Sequence, residues 1–114
     1  MKEVIINIAL DFNQYPAGRF KTDGPYSGEG FREKCLVPAL KENDRVTVIL
    51  DSVPGYGSSF LEEAFGGLIR TEGFSIDEIT AKLHLKADGR NEVYIPEIST
   101  YIKEASESIT HRPI

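Results

Sequence analysis

The chain has 114 residues, 40% of them hydrophobic and 27% charged, with a net charge of -5, which is the size and composition of one domain with a single core. One cysteine and two histidines exclude an internal disulfide and a cysteine/histidine zinc cluster, so neither a metal nor a cofactor is expected. The acidic balance and the lack of a dense Lys/Arg block count against nucleic acid and anionic lipid. No run is long enough to span a membrane, and Met1-Lys2-Glu3-Val4 lacks the basic region of a signal peptide, so the expected location is cytoplasmic.

Along the chain, the even positions Val4, Ile6, Ile8, Leu10 and Phe12 are all apolar, which predicts a strand from Val4 to Phe12. Pro16 and Gly18 turn the chain. Arg19-Phe20-Lys21 is read as a short second strand, ended by the turn signal Thr22-Asp23-Gly24-Pro25. Ser27 is placed to cap a helix that carries Phe31, Cys35, Leu36, Ala39 and Leu40 on one face and ends near Asn43. Pro38 lies inside that helix and predicts a kink or a break into two pieces.

Val46, Val48, Ile49 and Leu50 form a mostly β-branched run, read as a central buried strand that stops at Asp51-Ser52-Val53-Pro54-Gly55. Phe60/Leu61, Ala64/Phe65 and Leu68/Ile69 then recur four residues apart, so one helical face points at the core. Ser59 with Glu62 three residues on matches a capping box, which leaves Ser58 just outside the helix. Gly66-Gly67 inside the helix predicts close packing, and Gly73 suits a left-handed cap.

Ser75-Ile76-Asp77-Glu78 repeats the capping pattern and opens a short helix to about Lys82. Leu83, Leu85 and Ala87 alternate with His84, Lys86 and Asp88, as in a strand with one wet face. Ile95, Ile98, Ile102, Ala105 and Ile109 fall at helical spacing, with Pro96 tolerated in the first turn; the alternative is that Glu92 to Ile95 extends a strand. Residues 1–109 are read as one domain and 110–114 as a loose tail. The order of elements predicts an α/β layer whose small mixed sheet has about four strands packed by about four helices, with the first and central strands parallel across a helical crossover.

Gly55-Tyr56-Gly57-Ser58-Ser59 is the most specific stretch. Alternate glycines permit close approach, and the helix start that follows presents unpaired N–H groups. The plain structural account is a tight turn and a cap. A serine hydrolase would need G-x-S-x-G, and the order here is G-x-G-S-S; a triad of Ser58, His84 and Asp51 has only spacing behind it. No P-loop is present, and Glu62 and Glu63 read more simply as a cap and a dipole-complementing charge than as an acid/base pair.

The segments GRF at Gly18 to Phe20, DGPYSGEGFRE at Asp23 to Glu33 and VPGYGSSFLEEAFGGLIR at Val53 to Arg70 resemble the bacterial STAS-like domain family of unknown function, in a match that extends over nearly the whole chain. That family is similar to the anti-sigma factor antagonists, small α/β domains in which a serine at a helix start is phosphorylated by a histidine-kinase-like ATPase. The resemblance implies a non-enzymatic signalling module with Ser58 or Ser59 as the switch. Docking would use Gly55, Tyr56, Gly57, Ser58, Glu62 and Glu63. The alternative is a small-ligand or nucleotide site at the same helix start, with Arg19 and Arg32 reaching the anion.

Overall fold

The computed structural model describes residues 1–110; the tail expected at 110–114 lies outside it apart from Thr110, the last residue of a helix. Three strands, β1 (Glu3–Asn7), β2 (Arg45–Ile49) and β3 (Leu83–Lys86), form one parallel sheet in the order β1-β2-β3. Val4 pairs with Val46 and Ile6 with Val48, while Val46 pairs with Leu83 and Val48 with Leu85. Successive right-handed crossovers in one direction put their connecting helices on one face of the sheet. Burial agrees: Val46 and Val48 are fully covered, whereas Ile5, on the opposite face, is 64% exposed.

The sheet has three strands and not four, and all of them are parallel. β1 stops at Asn7 because side chains intervene. The Asn7 carboxamide accepts the Leu10 N–H, the Asp11 carboxylate accepts the Asn7 N–H, and residues Ile8–Phe12 coil into a π-helical turn closed by Asn13 N–H to the Ile8 carbonyl. Ile8 and Phe12 stay on one side in either conformation, being four apart. Leu10 separates the two, and it is 82% exposed.

The expected strand at Arg19-Phe20-Lys21 is absent too. The Asp23 carboxylate accepts the N–H groups of Arg19 and Phe20, and Lys21–Asp23 forms a 3-10 turn. Gly18, at φ 93°, supplies the positive φ that starts this turn.

Helix α1 spans residues 28–42. It is α-helical at Gly28–Phe31, π-helical at Arg32–Leu36 and α-helical again at Val37–Glu42. Ser27 caps it by accepting the Gly30 N–H at 3.0 Å. The π turn sits directly before Pro38, with Val37 N–H bonded to the Arg32 carbonyl, so the helical path continues while the α-type bonding breaks into two pieces. Helix α2 spans residues 58–70 with a matching π turn at Glu62–Gly66. Phe60, Leu61, Ala64, Phe65, Leu68 and Ile69 are all buried, as their spacing predicts.

Helix α3 (Ile76–Lys82) has the expected reciprocal cap between Ser75 and Glu78. After β3, Gly89–Val93 makes a 3-10 turn and helix α4 (Tyr94–Thr110) packs along α2. Pro96 falls in its first turn. Gly73 adopts φ 82° beyond the end of α2.

Candidate functional site

The loop between β2 and α2 stands at the carboxyl ends of the parallel strands, where open α/β sheets commonly place a site. It is held from beneath. The Tyr56 side chain is buried and its hydroxyl donates to the Leu50 carbonyl at 2.8 Å; the Tyr56 N–H donates to the Tyr94 hydroxyl at 3.2 Å. Burial, with the Asp51 and Tyr94 charges adding to it, raises the Tyr56 phenol well above its ordinary pKa, so it remains a neutral donor.

The segment after β3 provides further anchors. Buried Asn91 donates from Nδ2 to the carbonyls of Leu50 and Val53, both at 2.9 Å, and Asp88 N–H donates to the Asp51 carboxylate at 2.8 Å. Arg90 donates to the Pro54 carbonyl, and a cavity of about 300 Å³ opens between these two segments. Gly55 meets the Tyr94 hydroxyl closely: a Cβ there would lie 3.4 Å from it.

Five aromatic rings form a row under the loop. Tyr26 meets Phe12 at 5.8 Å between centroids, Phe12 meets Phe60 at 6.4 Å, Phe60 meets Tyr56 at 6.1 Å and Tyr56 meets Tyr94 at 5.1 Å. Tyr26 is 41% exposed. The Tyr26 end of the row therefore reaches solvent.

Ser58 and Ser59 are both exposed, and they are the first two helical residues. Gly57 is the cap residue, and no side chain caps the helix. The expected Ser59–Glu62 box does not form, and Ser58 is inside the helix rather than before it. Glu62 turns instead to Arg19 at 2.5 Å and Arg70 at 2.7 Å. Burial alone would push the Glu62 carboxyl up; the hydrogen bonds from Arg70 and Arg19, with their charges, outweigh it and hold it below the usual carboxylate value.

Arg19 and Arg32, expected at an anion on the helix start, are engaged by carboxylates. Arg32 is 1% exposed and crosses from α1 to α2, where Nη1 donates to the Glu63 carboxylate and the Glu63 carbonyl, each at 2.7 Å, while Nε donates to Glu72 at 2.9 Å. Arg19 and Arg70 each approach Glu63 Oε1 at 3.3 Å. Three arginines (19, 32, 70) thus face three glutamates (62, 63, 72), and the cluster sums to zero charge. Close passage is what Gly67 permits, since a Cβ there would collide with the Arg32 guanidinium.

Of the residues expected to meet a partner, Gly55, Gly57, Ser58 and Ser59 are exposed, Glu62 is partly covered, and Tyr56 and Glu63 are buried. Sequence reasoning missed Asn91, Tyr94 and Tyr26. The buried amide had no signal beyond its place after the Asp88-Gly89 turn. His84 stands on the outer face of β3, in register with Thr47, while the Asp51 carboxylate is engaged by Asp88 N–H. No hydrogen bond joins Ser58, His84 and Asp51.

Two absences and one match come from comparison with known proteins. A family model described as STAS-like domain of unknown function (DUF4325) matches residues 27–90, more than half of the chain, although the Gly18 to Phe20 segment falls outside it. No curated protein matches, and no solved structure does.

Proposed function

Since the chain belongs to the family of STAS-like domains of unknown function, we propose that it is a non-enzymatic cytoplasmic docking module whose contact surface is the Gly55–Ser59 loop and helix start, switched by phosphorylation of Ser58 or Ser59. The partner is a histidine-kinase-like ATPase. The observation that carries this reading is the pair of exposed serine hydroxyls, without a hydrogen-bonded partner among the described residues, at the first two helical positions behind a loop pinned from beneath. Rigid presentation lowers the ordering cost of docking.

Electrostatics support the switch. A phosphate brings about -1.5 to -2 charges, and free N–H groups at a helix start favour an anion. The carboxylates one turn away would oppose it, but Glu62 and Glu63 are compensated by Arg19, Arg32 and Arg70. The local balance therefore favours a phosphate on the free domain, while the same charge disfavours an apolar or acidic contact in the complex.

The test is the affinity of the host's histidine-kinase-like ATPase for the unmodified domain, Ser58→Ala and Ser58→Asp, with the same pair of changes at Ser59. Alanine should leave binding within a few-fold. Aspartate at the switch position should weaken it by about tenfold or more, equivalent to roughly 1.4 kcal/mol. Equal binding by both aspartate variants removes the switch.

A further inference from the structure

β3 is an edge strand. It pairs with β2 on one side, and no strand among the described residues pairs with the other. Beside it lies an open groove of about 320 Å³ between α3, β3 and α4, in which aliphatic side chains such as Ile79, Leu85 and Ile102 alternate with the polar Thr80, His84 and Ser99. Leu83, Leu85, Ile76 and Ile95 are only partly buried although they pack on the core. β1, the other edge, contributes nothing to this groove.

Two features define what fits here. The main chain of an edge strand offers N–H and C=O groups at strand spacing, so the complement is an extended backbone. Side chains of an added strand alternate between the two faces of the sheet. Those on the helix-covered face would enter the groove beside Leu83 and Leu85, which share that face with Val46 and Val48. Those on the outer face would lie beside His84 and Lys86, in register with Thr47 and Ile49. The first set must be apolar, and the second is complemented by acidic groups. Lys86 at the end of so short a strand also discourages indiscriminate pairing, since it excludes basic strands and leaves room for acidic ones.

We propose that β3 is a docking edge for an extended segment of a partner protein, with apolar residues directed into the groove between α3 and α4 and acidic residues alternating with them. This surface is separate from the loop at Gly55–Ser59 and does not depend on the role assigned to the serines.

The experiment titrates the isotope-labelled full chain with a capped probe peptide, Glu-Val-Glu-Val-Glu-Val-Glu, and reads amide shifts and hydrogen exchange. Amides of Leu83–Lys86 should shift, and the exchange of those directed outward should slow by about tenfold. A peptide with lysine in place of each glutamate should bind about tenfold more weakly, and Lys86→Glu should reverse that order. Ser99→Trp, which fills the groove from an exposed position on α4, should abolish the shifts while the rest of the spectrum shows a folded chain. The proposal is overturned by an unchanged spectrum at millimolar peptide, or by equal binding of the two peptides. Protection of β3 that rises with protein concentration before peptide is added also overturns it, because the edge would then belong to a second copy of this chain.

Discussion

The Arg32 guanidinium lies 2.7 Å from the Glu63 carboxylate, and the two residues are 1% and 5% exposed. This contact joins α1 to α2 directly behind the serine-bearing helix start. Both groups are charged and almost without water, so the pair is held by its geometry and by the additional bonds to the Glu63 carbonyl and Glu72.

Removing one partner should therefore cost far more than removing both. Arg32→Met strands the Glu63 carboxylate, a loss of about 3–5 kcal/mol, toward the lower end because Arg19 and Arg70 remain nearby. Arg32→Met with Glu63→Leu should recover most of it. Urea midpoints measure both; a double variant as unstable as the single one contradicts the account.

The loop anchors make a second prediction. Tyr56→Phe removes one donor from the Leu50 carbonyl, which still accepts from Asn91, so the cost should be about 0.5–1.5 kcal/mol. Asn91→Leu leaves the Val53 carbonyl without that donor and takes one from Leu50, and its cost should be larger, about 1–3 kcal/mol. The order of the two melting temperatures is the readout.

Gly28→Ala pits propensity against space. Alanine inside a helix gains up to about 1 kcal/mol over glycine, but a Cβ at 28 would collide with the Phe60 backbone carbonyl. Overpacking against backbone costs about 1–3 kcal/mol, so the variant should be destabilised. A more stable protein would show that α1 and α2 can separate freely.

Acid should weaken the domain through Glu62. Its folded pKa is held below the ordinary 4.5, so the stability it contributes is complete above that value and is lost as pH falls through the lower folded pKa. Glu62→Gln should flatten the fall in urea midpoint as the pH drops below the ordinary carboxylate value of 4.5. Parallel curves for the two proteins would remove Glu62 from the acid response.

Much of the architecture was legible because burial leaves a period in the sequence. The paired apolar residues of α2, the Ser27 and Ser75 caps, the parallel β1–β2 pair and the Gly73 turn follow from spacing and local chemistry. The failures have a common cause. Alternation from Val4 to Phe12 fits a strand, yet Asn7 and Asp11 offer the backbone a competing set of bonds and end it after five residues. Asp23 does the same at Arg19 and Phe20. At the candidate site, a helix start at Ser58-Ser59 was readable from the apolar face that follows it. The Glu62 cap was not, because its competitors, Arg19 and Arg70, come from elsewhere in the chain.

The most direct test of the docking switch is the mass of the peptide carrying Ser58 and Ser59, taken from protein purified from its own host with phosphatases inhibited. The account predicts a phosphate-sized addition on one of the two serines under at least one growth condition. Serines that remain unmodified under every condition, including in protein recovered together with its ATPase partner, would contradict it.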